Sequence, residues 1–154
     1  MGQWSTRTEA VLRSAGWYPN RYDAEYVELC EESLTVKGSF VISQAARRAL
    51  GEFGRLKFDE RGPGIDFARE PFVIDALLAD GEEDRFQRNG DAIGVALFPL
   101  GEDANGTGFL AIDDSGRVFA VGDGPLLLIG NDIREALDNL VLGRKSKEIP
   151  QPFR

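Results

Sequence analysis

Apolar and polar positions along this chain follow two periods, helical first and strand-like later. Residues 5–14 set Ala10, Val11 and Leu12 in a polar frame and stop short of Gly16, which predicts a helix closed by a glycine. Gly16-Trp17-Tyr18-Pro19-Asn20-Arg21 is a connector in which Pro19 turns the chain. A second helix is expected over 23–36, with Tyr26, Leu29, Cys30 and Leu34 on its apolar face and Gly38 ending it. Ser43 is placed to cap a third helix through Phe53, where Ala46, Ala49, Leu50 and Phe53 fall at i, i+3, i+4 and i+7 before the stop at Gly54.

The period then changes. Leu56-Lys57-Phe58 alternates like a strand, Arg61-Gly62-Pro63-Gly64 is a turn, and 65–68 and 72–74 are expected as short strands. Residues 75–88 read as a helix or a helix-rich loop. Clearer strands follow at 94–100, 109–112, 117–121 and 125–129, with Asp113-Asp114-Ser115-Gly116 turning the middle pair into a hairpin. Asn131 or Asp132 caps a last helix through Leu142, with Ile133, Leu137, Leu140 and Val141 toward the core and Gly143 as its stop. Strands and helices do not alternate regularly. The expected class is therefore α+β, with N-terminal helices and a C-terminal helix packed on a mainly antiparallel sheet. Residues 1–143 are expected to form one domain, and 144–154 a mobile tail.

Composition narrows the chemistry. The 154 residues suit a single core, and the ten Phe, three Tyr and two Trp supply large side chains for it. No apolar run approaches the roughly 20 residues of a membrane-spanning helix, and the start MGQWSTRTEA lacks the pattern of a signal peptide. With one cysteine, Cys30, no intrachain disulfide can form. A cytoplasmic protein without a membrane partner is expected. Histidine is absent, which removes the commonest general base and zinc ligand. The net charge is −8, unevenly spread. Residues 1–58 hold seven acidic and eight basic side chains, residues 59–142 hold 18 and six for a local net of −12, and residues 143–154 hold one and four. Such a field repels nucleic-acid phosphates and favours a basic partner.

The search for chemistry finds little that converges. Asp80, with Glu82, Glu83 and Asp84, offers oxygen ligands for a divalent cation, but without EF-hand spacing it reads better as a solvated helix start or a protein-contact surface. Asp113 and Asp114 are adjacent and belong to a turn. Cys30 lies on an apolar helix face and reads as a buried structural thiol. Gly122-Asp123-Gly124 lacks the pattern of a phosphate loop, and Asn105-Gly106-Thr107 reads as a loop rather than a glycosylation site. No catalytic residue, cofactor or metal is expected.

Several stretches in order carry a resemblance: 15–21 (Ala-Gly-Trp-Tyr-Pro-Asn-Arg), 49–56 (Ala-Leu-Gly-Glu-Phe-Gly-Arg-Leu), Gly62-Pro63-Gly64, Arg69-Glu70-Pro71-Phe72, Gly81-Glu82, 97–102 (Leu-Phe-Pro-Leu-Gly-Glu), 110–113, 116–119 and Glu135-Ala136-Leu137. Together they resemble the third subgroup of the SUKH superfamily of bacterial immunity proteins, over roughly residues 15–143. The resemblance implies helices packed on one sheet, and a protein that binds and neutralises a polymorphic toxin encoded beside it, commonly a nuclease or a nucleic-acid deaminase. One departure stands out. The family often has Phe-Gly-Gly-Leu where this chain has Phe53-Gly54-Arg55-Leu56; a glycine there permits a positive φ, so the departure leaves the backbone conformation at Arg55 open.

The expected function is accordingly that of a non-enzymatic immunity protein whose partner is a cognate basic toxin domain. Asp80, Glu82, Glu83, Asp84, Glu102 and Asp103 are the candidate contact residues, with Phe86 as an aromatic anchor. The alternative is an adaptor or regulatory domain for an endogenous protein. An enzyme using only carboxylates and arginine ranks behind both.

Overall fold

The structure, a computed structural model, describes residues 4–103 and 108–149. Among them, three helices come first: α1 (Thr6–Ala15), α2 (Ala24–Cys30), which continues as a π-helical segment (Glu31–Val36), and α3 (Gln44–Phe53). Strands β1 (Lys57–Phe58) and β2 (Phe72–Val73) follow, then a 3₁₀ turn (Ala76–Ala79) and α4 (Glu83–Ile93). The chain goes on through β3 (Phe98–Asp103), β4 (Phe109–Ile112), β5 (Val118–Val121), β6 (Leu127–Gly130), α5 (Ile133–Leu142) and β7 (Lys147–Glu148). The strands form one seven-stranded sheet in sequence order, and every neighbouring pair is antiparallel. The fold is α+β with helices packed on the sheet. Among the described residues, no helix is long and apolar enough to cross a membrane.

The helix ends follow local chemistry. Ser5, Asp23, Ser43 and Asp132 each accept a backbone N–H three residues on, satisfying donors that a first turn leaves open. Gly16, Gly94 and Gly143 close α1, α4 and α5 in the left-handed conformation. The core lies between the helices and the sheet. Leu12, Tyr26, Leu34, Leu50 and Phe53 from the helices and Phe58, Leu100, Ile112 and Phe119 from the strands are almost wholly buried. Each such side chain contributes roughly 1.5–3 kcal/mol of hydrophobic stabilisation.

Several expectations are corrected. Residues 65–68 form no strand. The backbone N–H of Ile65 instead donates to Leu142 O, and those of Asp66 and Phe67 donate to Gly143 O, so this loop satisfies carbonyls that the end of α5 leaves open. The span 75–88 is two elements, broken at Gly81 (φ 88°). The strand expected from Gly94 begins only at Phe98, because Gly94 and Val95 close α4 through bonds to Asp91 O and Gly90 O. Leu29, expected on the buried face of α2, is 43% exposed. Inside the expected tail, Lys147 and Glu148 pair with Leu128 and Leu127, and Ile149 N donates to Leu126 O. Residues 150–154 of that tail, like Asn105-Gly106-Thr107, lie outside the described residues.

Arg55 adopts a positive φ, 70°. Its N–H donates to Ile74 O at 2.6 Å, and its guanidinium lies 5.0 Å from the centre of the Tyr26 ring. The chain has thus exchanged a conformationally free glycine for a cation–π contact. The left-handed conformation costs an L-residue about 1 kcal/mol, comparable to what the contact returns. Arg55→Ala keeps the strain and loses the contact, so it is expected to lower unfolding stability. Arg55→Gly relieves the strain and is expected to be about 1 kcal/mol more stable than Arg55→Ala in urea or thermal unfolding. Equal stability of the two variants would contradict this account.

Candidate functional site

The acidic stretch predicted as a contact surface surrounds the start of α4. Asp80 closes the 3₁₀ turn and is exposed, Glu82 occupies the N-cap position, and Glu83 and Asp84 lie in the first turn. Carboxylates at a helix N-terminus interact favourably with the positive end of its dipole, which accounts locally for this composition. The surface is not purely acidic. Arg85 Nε is 3.2 Å from Glu82 and Arg85 Nη1 is 3.7 Å from the exposed Asp123. The Arg85 guanidinium also lies 5.7 Å from the centre of the Phe109 ring.

Glu102 and Asp103, the other predicted contacts, sit half-buried at the end of β3. Glu102 is opposite Phe109 on β4 and Val73 on β2, and Asp103 is opposite Phe72. Arg85, held against Phe109, therefore brings a cation to the strand partner of Glu102. Phe86 is a clear correction. It is 1% exposed and packs edge-on against Phe40 (5.3 Å) and tilted against Phe109 (5.6 Å). The helical period that puts it on the apolar face of α4 puts it in the core, so it has no surface to offer a partner.

The other candidates resolve into structural roles. Asp113 is fully buried, and its Oδ1 accepts from Ser115 N, Ser115 Oγ and Arg117 N while Oδ2 pairs with Arg117 Nε at 2.7 Å. It builds the β4–β5 turn. In the 15–21 motif, Trp17 Nε1 donates to Glu52 Oε2, and the Arg21 guanidinium donates to Glu52 O and Gly54 O. The motif therefore grips the end of α3. At Gly101, any Cβ would run into the Val73 carbonyl, so only glycine lets the chain cross β3 there. Among the described residues, no group of three or more acidic or thiol side chains is placed to hold a metal ion.

One cleft, about 930 Å³, has an apolar lining that includes Phe72, Leu110, Leu127 and Ile129. Its charged lining is mixed, with Glu70, Asp103 and Glu148 facing Arg144, Lys145 and Lys147. Charge counting by segment missed a different feature. Residues 23–32 hold five carboxylates and no cation, and Leu29, Val36 and Leu78 stand exposed beside them or on the neighbouring turn.

These observations define an α+β domain whose unassigned charges lie on its surface and whose recurrent motifs serve caps, turns and close backbone contacts. The family model of the SUKH-3 immunity protein matches residues 4–143, and the chain belongs to that family. No curated protein and no solved structure matches it. Membership supports an immunity role with a toxin protein as partner.

Cys30 shows how little reactivity the interior offers. Burial, the largest cause, pushes its thiol up to about 11. Because the thiolate is the reactive form, native protein at pH 8 is expected to resist a maleimide, and denatured protein to react fully. Rapid labelling of the folded protein would show that the α2 region opens.

Proposed function

We propose that this protein binds a basic toxin domain encoded beside it and neutralises that toxin in the cytoplasm of the producing cell. The observation that carries the reading is the family match across residues 4–143, and the net charge of −12 over residues 59–142 gives it a physical direction. A toxin that works on nucleic acid, a nuclease or a deaminase, needs a cationic cleft for phosphate. A protein whose exposed carboxylates enter that cleft competes with the substrate and is drawn in by the same field. Asp80, Glu82, Glu83, Asp84, Glu102 and Asp103 are its charged contacts in this reading.

Co-purification of the untagged protein with the tagged toxin domain encoded immediately upstream tests the reading. A one-to-one complex with the toxin's activity abolished is the expected result. Failure to associate at low salt would favour an adaptor role instead. Charge reversal at Glu82, Glu83 and Asp84 is expected to slow association about tenfold at low salt and to flatten the salt dependence of the rate. Reversal also places cations at the N-terminus of α4, so the neutral variant Glu82→Gln/Glu83→Gln/Asp84→Asn serves as the folded control. An unchanged on-rate in both variants would remove these residues from the interface.

A further inference from the structure

Helix α2 with its π-helical continuation and the segment from the 3₁₀ turn to the start of α4 lie side by side, tied at two points. At one end the Tyr26 hydroxyl accepts from Ala76 N at 2.8 Å and donates to Asp75 Oδ1. At the other, Gly38 approaches Glu83 so closely that a Cβ on it would sit 3.1 Å from Glu83 Oε2. The ties are 12 residues apart on the helical side, roughly 18 Å of helix. Between these ties each segment carries exposed apolar side chains. Leu29 is three residues beyond Tyr26 on α2, at the border between its buried flank and its exposed arc. Leu78 is the outward residue of that turn, whose Ala76 and Ala79 are buried. Val36 ends the π-helical segment just before Gly38. The three are 43%, 44% and 66% exposed, in the order Leu29, Leu78, Val36.

A single exposed leucine means little, but these three stand on segments rich in carboxylates. Two carboxylates of these segments meet arginine, Glu31 with Arg47 and Glu82 with Arg85. Among the described residues, Glu25, Glu28, Asp80, Glu83 and Asp84 pair with no cation, and Lys37 meets Glu32 only at 3.9 Å. Residues 23–36 and 75–84 together hold ten carboxylates and no lysine or arginine. The result is a set of exposed apolar side chains flanked by an excess of negative charge, the arrangement of an interface with an apolar centre and a polar rim. Its sign excludes phosphate backbones and anionic lipid as occupants. Its apolar centre asks for a protein surface, and its rim asks for a basic one.

We propose that this ridge is the docking surface for a basic protein partner, with Leu29, Leu78 and Val36 as its apolar contacts and Glu28, Glu32 and Asp80 in its charged rim. The proposal rests on the immunity reading and places the apolar part of the contact on α2 and the 3₁₀ turn. The predicted acidic group at the start of α4 then forms its margin.

Surface plasmon resonance against the upstream-encoded toxin domain tests it, with the wild-type chain, a Leu29→Ser/Val36→Ser variant and a Glu28→Lys/Glu32→Lys variant. Circular dichroism and melting temperature establish that each variant folds. The apolar variant is expected to dissociate at least about tenfold faster with a nearly unchanged on-rate, and the charge variant to associate about tenfold more slowly at low salt. Wild-type binding with folded variants that behave identically would overturn the ridge while leaving the immunity reading intact. Wild-type protein that does not bind the toxin domain would overturn both. A loss of self-association in the apolar variant, with toxin binding unchanged, would overturn the proposal in favour of a second copy of this chain as the occupant.

Discussion

The hydroxyl of Tyr26 is the point on which the helical layer is hung. Its ring is wholly buried, and burial strongly raises its pKa, so the group stays a neutral donor and acceptor. It donates to Asp75 and accepts from Ala76, while Asp75 Oδ1 also accepts from Leu77 N to start the 3₁₀ turn. The edge of the ring fills the space where a Cβ on Gly54 would stand, and its face carries Arg55. One side chain thus fixes α2, the end of α3, the lead into β1 and the path toward α4. A buried hydroxyl that lost its partners would leave polar groups unsatisfied at a cost of about 1–3 kcal/mol, so this junction is over-determined rather than adaptable. The spacing of every surface group above it inherits that rigidity.

What the sequence disclosed best was whatever local chemistry alone decides. The caps Ser43 and Asp132 and the stops Gly16 and Gly143 act over one turn and need no knowledge of the rest of the chain. The hairpin around Asp113-Gly116 was legible for the same reason. Elements decided by distant backbone groups were not. Residues 65–68 look like a strand because they mix apolar and polar positions, yet their N–H groups are claimed by the end of α5. Strand β7 has two exposed, charged residues and so no hydrophobic pattern to read. Only backbone bonds to β6 make it a strand. Leu29 was misplaced because its angle on the helix falls between the buried flank marked by Tyr26 and the exposed arc marked by Glu28, and the pattern cannot say where the boundary runs.

The surface was legible only in outline, and the errors have physical causes. Phe86 looked like an interface anchor because an aromatic side chain near acidic residues fits either a hot spot or a core, and periodicity alone does not separate them. The carboxylates of α2 escaped notice because the first 58 residues are nearly neutral in sum. That sum mixes α2 with the arginines of α1, of the connector after it and of α3, three of which are committed to partners within the helical layer: Arg13 to Glu9, Arg21 to the end of α3, and Arg47 to Glu31. Charge averaged along a chain describes its long-range field, whereas a contact surface depends on which charges remain uncompensated after folding.

That distinction bears on how a protein of this kind can be both stable and specific. The motif residues that mark the family here do interior work. Trp17 and Arg21 hold α3, Gly101 lets the chain cross β3, and Asp113 builds a turn. Leu29, Val36, Leu78, Glu28, Glu32 and Asp80 lie outside all of those motif stretches, and apart from the long contact of Glu32 with Lys37 none makes a side-chain bond that the fold requires. Changing them alters the field and the apolar relief of the ridge without disturbing the Tyr26 junction beneath it. A scaffold of this design separates the residues that must be kept to fold from those that can change to match a partner. Specificity is then a difference in affinities set on a rigid base, with little ordering entropy lost on binding.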